Sequence, residues 1–276
     1  IYYLFNSPVG KQMIAGITSG TTQSKFNKTN FRNLSIQFPL IEEQKQIVAK
    51  LEQAFAAIDT AKLNIEKNLE NTKQLFQSML NEIFSQRGEG WVEKKLGDIC
   101  SKITQGPNPK LKRDKPTEGH FVLKTKDFYN DRVLYDNCDG VSKSVVNEWE
   151  RFLLEDGDVI IGLVGVGSIG KCNVFRSQSD KKYIFTRATG LLRVNPEMLC
   201  PAFLHYYLLS PIGQELIDTG IGGTTGQLVI KTSYFKSACI RHPSDIQNQK
   251  QIIIKLDALS EQILHLKSKY QQERDS

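Results

Sequence analysis

Basic and amide side chains near glycines are the residues of this sequence best suited to bind a ligand through charge and hydrogen bonds. Lysine and arginine bind phosphates, glutamine and threonine bond phosphates or base edges, and glycine lets a ligand backbone approach closely. The candidates are Gln105, Lys110, Lys112, Arg113, Lys124, Lys126, Gly167, Ser168, Lys171, Arg187, Gly223, Thr224, Thr225 and Gln227. They predict a surface for a phosphate-bearing polymer; the alternative is solvated loops with scattered lysines.

One glycine-rich hexapeptide, Gly165-Val-Gly-Ser-Ile-Gly, has the spacing of a dinucleotide-binding fingerprint. That fingerprint binds a pyrophosphate only where its last glycine opens a helix. Here Lys171-Cys-Asn-Val-Phe follows, which alternates like a strand. The sequence therefore disfavours nucleotide binding and leaves two interpretations. One is a glycine-rich connection between two strands, and the other is a loop pressed against a ligand backbone.

Residues with catalytic or metal-binding spacing are scarce. The four histidines fit no HExxH-like pattern, and the five cysteines are too widely scattered to share a metal. The sequence has no P-loop and no Asn/Asp-Pro-Pro-Tyr methylation motif, and Asp156 and Asp158 flank a glycine as turn residues do. We predict a binding protein with no catalytic residue and no metal ligand.

Composition and charge narrow the class of protein. At 39% hydrophobic and 24% charged residues the chain is typical of a soluble protein, and it has no apolar run of the roughly 18 residues that a membrane span needs. Scattered cysteines, odd in number, suit reduced thiols and favour the cytoplasm. Residues 1–38 carry four basic groups and no acidic one, and residues 87–242 carry a net charge of +4. This balance favours a polyanion partner.

Two long helices must position these loops. Residues 41–85 contain neither glycine nor proline, and their apolar residues recur with period 3.5, as in a coiled coil. Residues 249–271 repeat that spacing 205 positions later. The predicted pairing residues are Ile47, Leu51, Ile58 and Ile65 in the first helix and Ile252, Leu256, Leu259, Ile263, Leu266 and Tyr270 in the second. Because the intervening domain must return the chain to its start, we predict an antiparallel pair.

The repeat extends upstream of both helices. Ser7-Pro-Val-Gly matches Ser210-Pro-Ile-Gly, and Gly20-Thr-Thr matches Gly223-Thr-Thr, each 203 residues apart. Residues 1–38 therefore look like the last part of a domain whose complete copy follows the first helix. Two explanations stay open: a truncated or partly ordered subunit, or a natural half-length subunit that pairs as a homodimer.

The complete copy, residues 87–242, shows mainly strand patterns. We predict strands at 121–126, 132–135, 171–176, 183–185 and 190–194, and a buried strand after the Asp156-Gly157 turn. Two short helices are predicted at 201–209 and 211–219. The fold class is therefore α+β, with a strand-rich domain joined to long helices.

In this order, several short motifs resemble those of the specificity subunit of type I restriction–modification enzymes. They are Trp91…Leu96-Gly-Asp-Ile before Gly106, Gly157-Asp-Val-Ile-Ile before Gly167-Ser-Ile-Gly, Phe203-Leu…Leu208, Gly223-Thr-Thr, and Glu43-Gln-Lys-Gln-Ile at the start of the long helix. The resemblance covers nearly the whole chain. It departs from the family pattern in the missing first part of one domain and in the short second helix.

The resemblance implies target-recognition domains spaced by an antiparallel pair of helices. The segments would be the end of a first recognition domain (1–38), a first spacer helix (39–86), a second recognition domain (87–242) and the start of a second spacer helix (243–276). Each domain would recognise half of a split site in double-stranded DNA. The helices would hold the methyltransferase subunits, two in number, and through the complex the restriction subunits. S-adenosylmethionine, ATP and magnesium would bind only those partner subunits.

A function from another class stays open: a non-enzymatic coiled-coil adaptor whose basic domain binds protein. Its apolar stripe would look the same. A steep salt dependence of affinity for duplex DNA separates the two, because phosphate contacts release counterions.

Overall fold

The structure is a computed structural model that describes residues 1–18, 25–26, 28–108, 115–223 and 228–275. The chain divides into two compact units, residues 1–68 and residues 69–276. We call them the first and the second unit.

Short helices and the start of a long one make up the first unit. They are α1 (Tyr2–Asn6), α2 (Pro8–Gly16), α3 (Lys28–Arg32) and α4 (Ile41–Phe84), of which α4 continues into the second unit. At about 1.5 Å per residue, α4 is roughly 66 Å long. Its uninterrupted length follows from the absence of glycine and proline, and it confirms the helix predicted at 41–85. Within the first unit the Tyr3 ring stacks on Phe55 with a centroid distance of 5.7 Å.

Strands and short helices alternate in the second unit. In chain order they are β1 (Trp91–Lys95), α5 (Leu96–Ile99), β2 (Cys100–Gln105), β3 (His120–Leu123), β4 (Asp139–Gly140), α6 (Lys143–Glu148), β5 (Val159–Gly162), β6 (Cys172–Val174), β7 (Lys182–Phe185), β8 (Thr189–Val194), α7 (Pro201–Leu209), α8 (Pro211–Thr219), β9 (Ile221–Gly222), β10 (Val229–Ile230), α9 (Thr232–Ser237), β11 (Cys239–Pro243) and α10 (Ile246–Asp275). The predicted α+β class is confirmed.

Two main sheets organise the second unit. One is antiparallel, with the strand order β2-β8-β5-β6, and the other has the order β4-β3-β7, with β3 and β7 parallel. The pairs β1–β11 and β9–β10 are separate. Residues of β5 alternate between two apolar clusters: Val159 and Ile161 belong to one, and Ile160 to the other. Because both faces of β5 are covered, the whole strand is buried, as its apolar run predicts.

Helix α7 lies at the centre of the larger cluster. It is apolar on all sides, and residues 203–209 are all buried, which is typical of a helix covered on every face. On one side it contacts β5 and β6. On another it receives the end of α4, where the Phe84 ring meets Phe203 and Tyr207 edge-on at 5.2 and 5.6 Å. The last turns of α4 are therefore part of the second unit's core.

The sequence repeat is also a structural repeat. In the second unit the Ser210 hydroxyl caps α8 by accepting from the Gly213 N–H at 3.1 Å and donates to the Tyr207 carbonyl at 2.6 Å. In the first unit Ser7, Gly10 and Leu4 make the same two bonds with the same lengths. The two helix corners are built alike, which confirms the match of the two Ser-Pro-x-Gly motifs.

Some elements differ from the predictions. The strand predicted at 132–135 is wrong: Val133 makes only an isolated bridge with Phe128, and Tyr135–Asn137 is a 3-10 turn. The second long helix begins at Ile246 rather than 249. Leu256 is fully buried within the second unit's own core. The antiparallel pairing of Leu51, Ile58 and Ile65 with α10 stays a prediction.

Candidate nucleic-acid interface

Several strand ends of the second unit meet at one edge. β2 and β5 end where β8 begins, because Gln105 pairs with Gly190 and Gly162 pairs with Thr189. β3 and β7 end beside each other, with Leu123 opposite Phe185. We call this the loop edge and define it as residues 105–106, 123–124, 162–170, 186–189 and 228–230. It gathers loops that are far apart in sequence, as a composite binding surface requires.

Gln105 and Arg187 form the centre of the loop edge. The Gln105 Nε2 donates to the Arg187 carbonyl at 2.7 Å, and the Gly106 N–H donates to the Thr189 carbonyl at 3.0 Å. A Cβ on Gly106 would lie 2.4 Å from the Thr186 carbonyl oxygen, so only glycine fits there. The two loops are thus fixed to each other, while the Arg187 side chain is exposed. Of the predicted DNA-binding residues, these two are brought together.

Lys124 and Lys126 are less free than the sequence suggests. Both ammonium groups pair with the Asp139 carboxylate, that of Lys126 at 3.6 Å. The hydrogen bond from Lys124 lowers the pKa of Asp139. Asp127 is buried, and that burial raises its pKa even though its Oδ2 accepts the Lys124 N–H at 2.8 Å. Phosphate binding by these lysines would therefore compete with Asp139.

The glycine-rich hexapeptide connects β5 to β6. Gly165, Gly167 and Gly170 have positive φ angles, and a Cβ on Gly162 would lie 1.9 Å from the Ser168 carbonyl oxygen. Gly170 leads to an antiparallel strand and not to a helix. The interpretation as a strand connection is confirmed, and the helix that a pyrophosphate site needs does not follow. Predicted residues Gly167 and Ser168 lie in this connection.

Lys171 adjoins the loop edge only through its backbone. Its carbonyl accepts the Gly162 N–H at 2.8 Å, but its ammonium lies 5.0 Å from the centre of the Tyr129 ring. The side chain lines an open groove of about 830 Å³, together with Lys73 of α4 and Lys267 of α10. β6 is two strands away from β8. The structure therefore does not bring the Lys171 ammonium together with Gln105 and Arg187.

The remaining predicted residues lie in two other segments. Lys110, Lys112, Arg113, Thr224, Thr225 and Gln227 fall outside the described residues. Gly223 follows β9 with a φ of 127°. Its neighbour Gly222 pairs with Val229, which in turn bridges to Val164 of the loop edge. The start and the end of the Gly-Thr-Thr segment are thus anchored beside the loop edge.

The family described as the type I restriction modification DNA specificity domain matches residues 1–71 and 88–273. The chain belongs to that family. Residues 1–71 lie in the first half of the internal repeat and residues 88–273 in the second, so both halves of this specificity-domain protein match the family.

Two curated relatives are specificity subunits. The chain is 23% identical over 274 residues to the specificity subunit of the Escherichia coli type I restriction enzyme EcoBI, covering 88% of this chain and 55% of that protein. It is 22% identical over 276 residues to the EcoKI specificity subunit of Escherichia coli strain K12, covering 94% and 58%. The specificity-domain chain thus spans about half the length of the curated relatives it matches.

Solved structures share the fold. A chain from a structure described as the basis of complex assembly and conformational transition of the type I R-M system has a TM-score of 0.69 at 22% identity, covering 95% of this chain and 63% of that one. The HsdS subunit from Thermoanaerobacter tengcongensis has a TM-score of 0.57 at 20% identity, covering 93% and 62%. The specificity-domain fold is therefore common to all three.

Polar groups buried in the specificity-domain core hold the sheet together. Asp158 is buried and accepts from Arg193 at both oxygens, at 2.7 and 2.8 Å. His205 lies with Nδ1 3.6 Å from the Cys172 sulfur. Burial lowers the pKa of His205 to about 4 and raises the pKa of the Cys172 thiol. Both groups are therefore neutral near pH 7, and a neutral thiol is a poor nucleophile.

Sequence reasoning missed two exposed apolar residues of the loop edge, Val166 and Leu228, of which Val166 is the more exposed. An apolar residue between two glycines was the available signal. Among the described residues, no group of three His, Cys, Asp or Glu side chains could hold a metal ion. Within the same ranges, no helix is both long and apolar enough to cross a membrane.

Proposed function

We propose that this chain is a sequence-specific DNA-recognition subunit of a type I restriction–modification complex and that its second unit binds half of a bipartite site. The observation that carries the proposal is the loop edge of a specificity-domain fold. There, five separate chain segments meet at one edge of the sheets, and among them are an arginine, an amide and glycine-rich backbone. Arginine and amide groups are the side chains that bond base edges and phosphates.

The subunit is proposed to act without catalysing a reaction itself. His205 and Cys172 are neutral and buried, which suits a structural role. S-adenosylmethionine, ATP and magnesium are proposed to bind the methyltransferase and restriction subunits and not this chain. The cytoplasm is its proposed location, because scattered cysteines, odd in number, suit reduced thiols.

The long helices are proposed to hold the partner subunits. On α4, Ile47, Phe55 and Ile58 are each between 44% and 48% exposed. Apolar residues spaced along one helix in this way are typical of a surface that another helix covers. Methyltransferase subunits, two per complex, and the antiparallel spacer helix are the proposed partners. A homodimer would supply the antiparallel helix if the natural subunit is of half length.

Duplex binding as a function of salt tests the proposal. The full chain, assembled with its methyltransferase subunit, is titrated with a cognate duplex found by methylation mapping in cells that carry both. We expect log affinity to fall linearly with log salt, with a slope of about 0.9 per phosphate contacted. The adaptor alternative predicts no preference for the cognate duplex and no steep slope, and that result would remove DNA recognition.

A further inference from the structure

Val166 is exposed in an unusual position. With 86% of its surface exposed, it is the most accessible large apolar residue of the second unit's described part. Its neighbours Gly165 and Gly167 have φ angles of 98° and 74°, and a Cβ on either would meet nothing within 4 Å. The valine therefore stands at the tip of a turn with open space on both sides.

The tip is held firmly despite its exposure. The N–H groups of Ser168 and Ile169 donate to the Gly165 carbonyl at 3.1 and 3.2 Å. Gly165 itself donates to Leu228 at 3.2 Å, and Val164 forms a bridge with Val229. A loop fixed in this way loses little further entropy when a ligand meets it, which favours precise contact.

The tip belongs to the loop edge. Leu163 donates its N–H to the Ala188 carbonyl at 2.8 Å, directly beside Arg187. The apolar side chain thus lies in the same edge as the arginine and the amide that bond DNA in the proposed function. Unlike those two side chains, the valine side chain has no group that could donate a hydrogen bond to a phosphate or accept one from a base.

We propose that Val166 is a specificity-determining residue that contacts the 5-methyl group of a thymine in the major groove of the half-site. This inference rests on the proposed function. In the major groove the thymine methyl is the apolar group that distinguishes one base pair from another. Side chains that wedge between base steps are mostly longer or rigid, such as Phe, Leu, Ile, Met and Pro, and the short β-branched valine suits surface contact with a methyl group.

The test removes one methyl group from the DNA at a time. In the cognate duplex each thymine is replaced by uracil, and affinity is measured for the full chain with its methyltransferase subunit. At one position we expect the wild type to lose about fourfold, the effect of withdrawing one methyl group from contact. Val166→Ala should be insensitive at that position, while Val166→Thr, which keeps a methyl group, should retain part of the effect.

A matched control and the salt slope separate the possible failures. Val9→Ala makes the same change at a valine of α2 that is 62% exposed and lies outside the loop edge and the long helices, and it should keep the wild-type sensitivity to uracil. Val166→Ala should also keep the wild-type salt slope, because it removes no phosphate contact.

If the wild type binds the duplex with a steep slope but Val166→Ala keeps its sensitivity at every thymine, or the half-site contains no thymine, this inference is overturned and DNA recognition stands. If Val166→Ala weakens only binding of the methyltransferase subunit, Val166 contacts that protein and the inference also falls. If the wild type shows no cognate binding, the proposed function itself fails.

Discussion

Leu80→Ala should destabilise the second unit strongly, because the last turns of α4 belong to its core. Leu80 is 0% exposed and lies in the cluster built around α7. Truncating a fully buried leucine costs about 2–5 kcal/mol, since transfer free energy is lost and a cavity remains. For a domain of roughly 150–250 residues, each kcal/mol lowers Tm by about 2–4 °C. A loss of ~3 kcal/mol would therefore lower Tm by roughly 6–12 °C.

The matched control is Leu75→Ala on the same helix. Leu75 is 56% exposed, and the change in helix propensity is identical. We expect its effect to stay within about 0.5 kcal/mol. Urea unfolding followed by fluorescence reports the second unit selectively, because both tryptophans, Trp91 and Trp149, lie there. Equal and small effects of the two substitutions would refute the placement of the α4 end in this core.

Three further substitutions test the buried framework. The free energy of unfolding should fall as pH is lowered from about 6.5 to about 4, because His205 of the unfolded chain binds a proton that the buried ring does not. His205→Asn should flatten that fall in a pH series of urea titrations, and a profile unchanged from the wild type would contradict this prediction. Asp158→Ala should lower the free energy of unfolding by about 3–5 kcal/mol, because it leaves the Arg193 guanidinium without its buried partner. The exposed Asp156→Ala should lower it by less than about 1 kcal/mol. Gly213→Ala should prevent formation of the α7–α8 corner, because its Cβ would lie 1.9 Å from a carbonyl oxygen, whereas Gly16→Ala has open space and should be tolerated in thermal melts.

Local signals predicted α4, α7, α8 and α10 and five of the eleven strands of the described residues, namely β3, β5, β6, β7 and β8. The helices at 201–209 and 211–219 were found because Pro201 and Pro211 each open a helix and Ser210 caps the second. The buried β5 was found because its apolar run follows a glycine turn. The strand predicted at 132–135 failed because strand pairing is non-local: those residues alternate suitably but lack a partner strand beyond one bridge.

The sequence predicted which residues have side chains suited to binding DNA, but not which of them lie together in the fold. Gln105 and Arg187 are 82 residues apart, and their contact depends on the register of β2 with β8, which the sequence of neither strand determines. The same limit explains Lys171, whose ammonium lies over Tyr129 because of a packing contact distant in sequence. Val166 was not predicted as a binding residue because its side chain has neither a charge nor a hydrogen-bonding group.

The most direct test of the loop edge as a DNA-binding surface is the effect of Arg187→Ala on binding of the cognate duplex. The substitution keeps the backbone carbonyl that Gln105 bonds, so the loop contact survives. Arg87→Ala, an exposed arginine in the α4–β1 connection, is the control. We predict that Arg187→Ala lowers affinity at least about fivefold, the smallest loss expected for one arginine contact, while Arg87→Ala binds as the wild type does. Wild-type affinity, salt slope and base discrimination in Arg187→Ala would contradict the central claim that this edge recognises DNA.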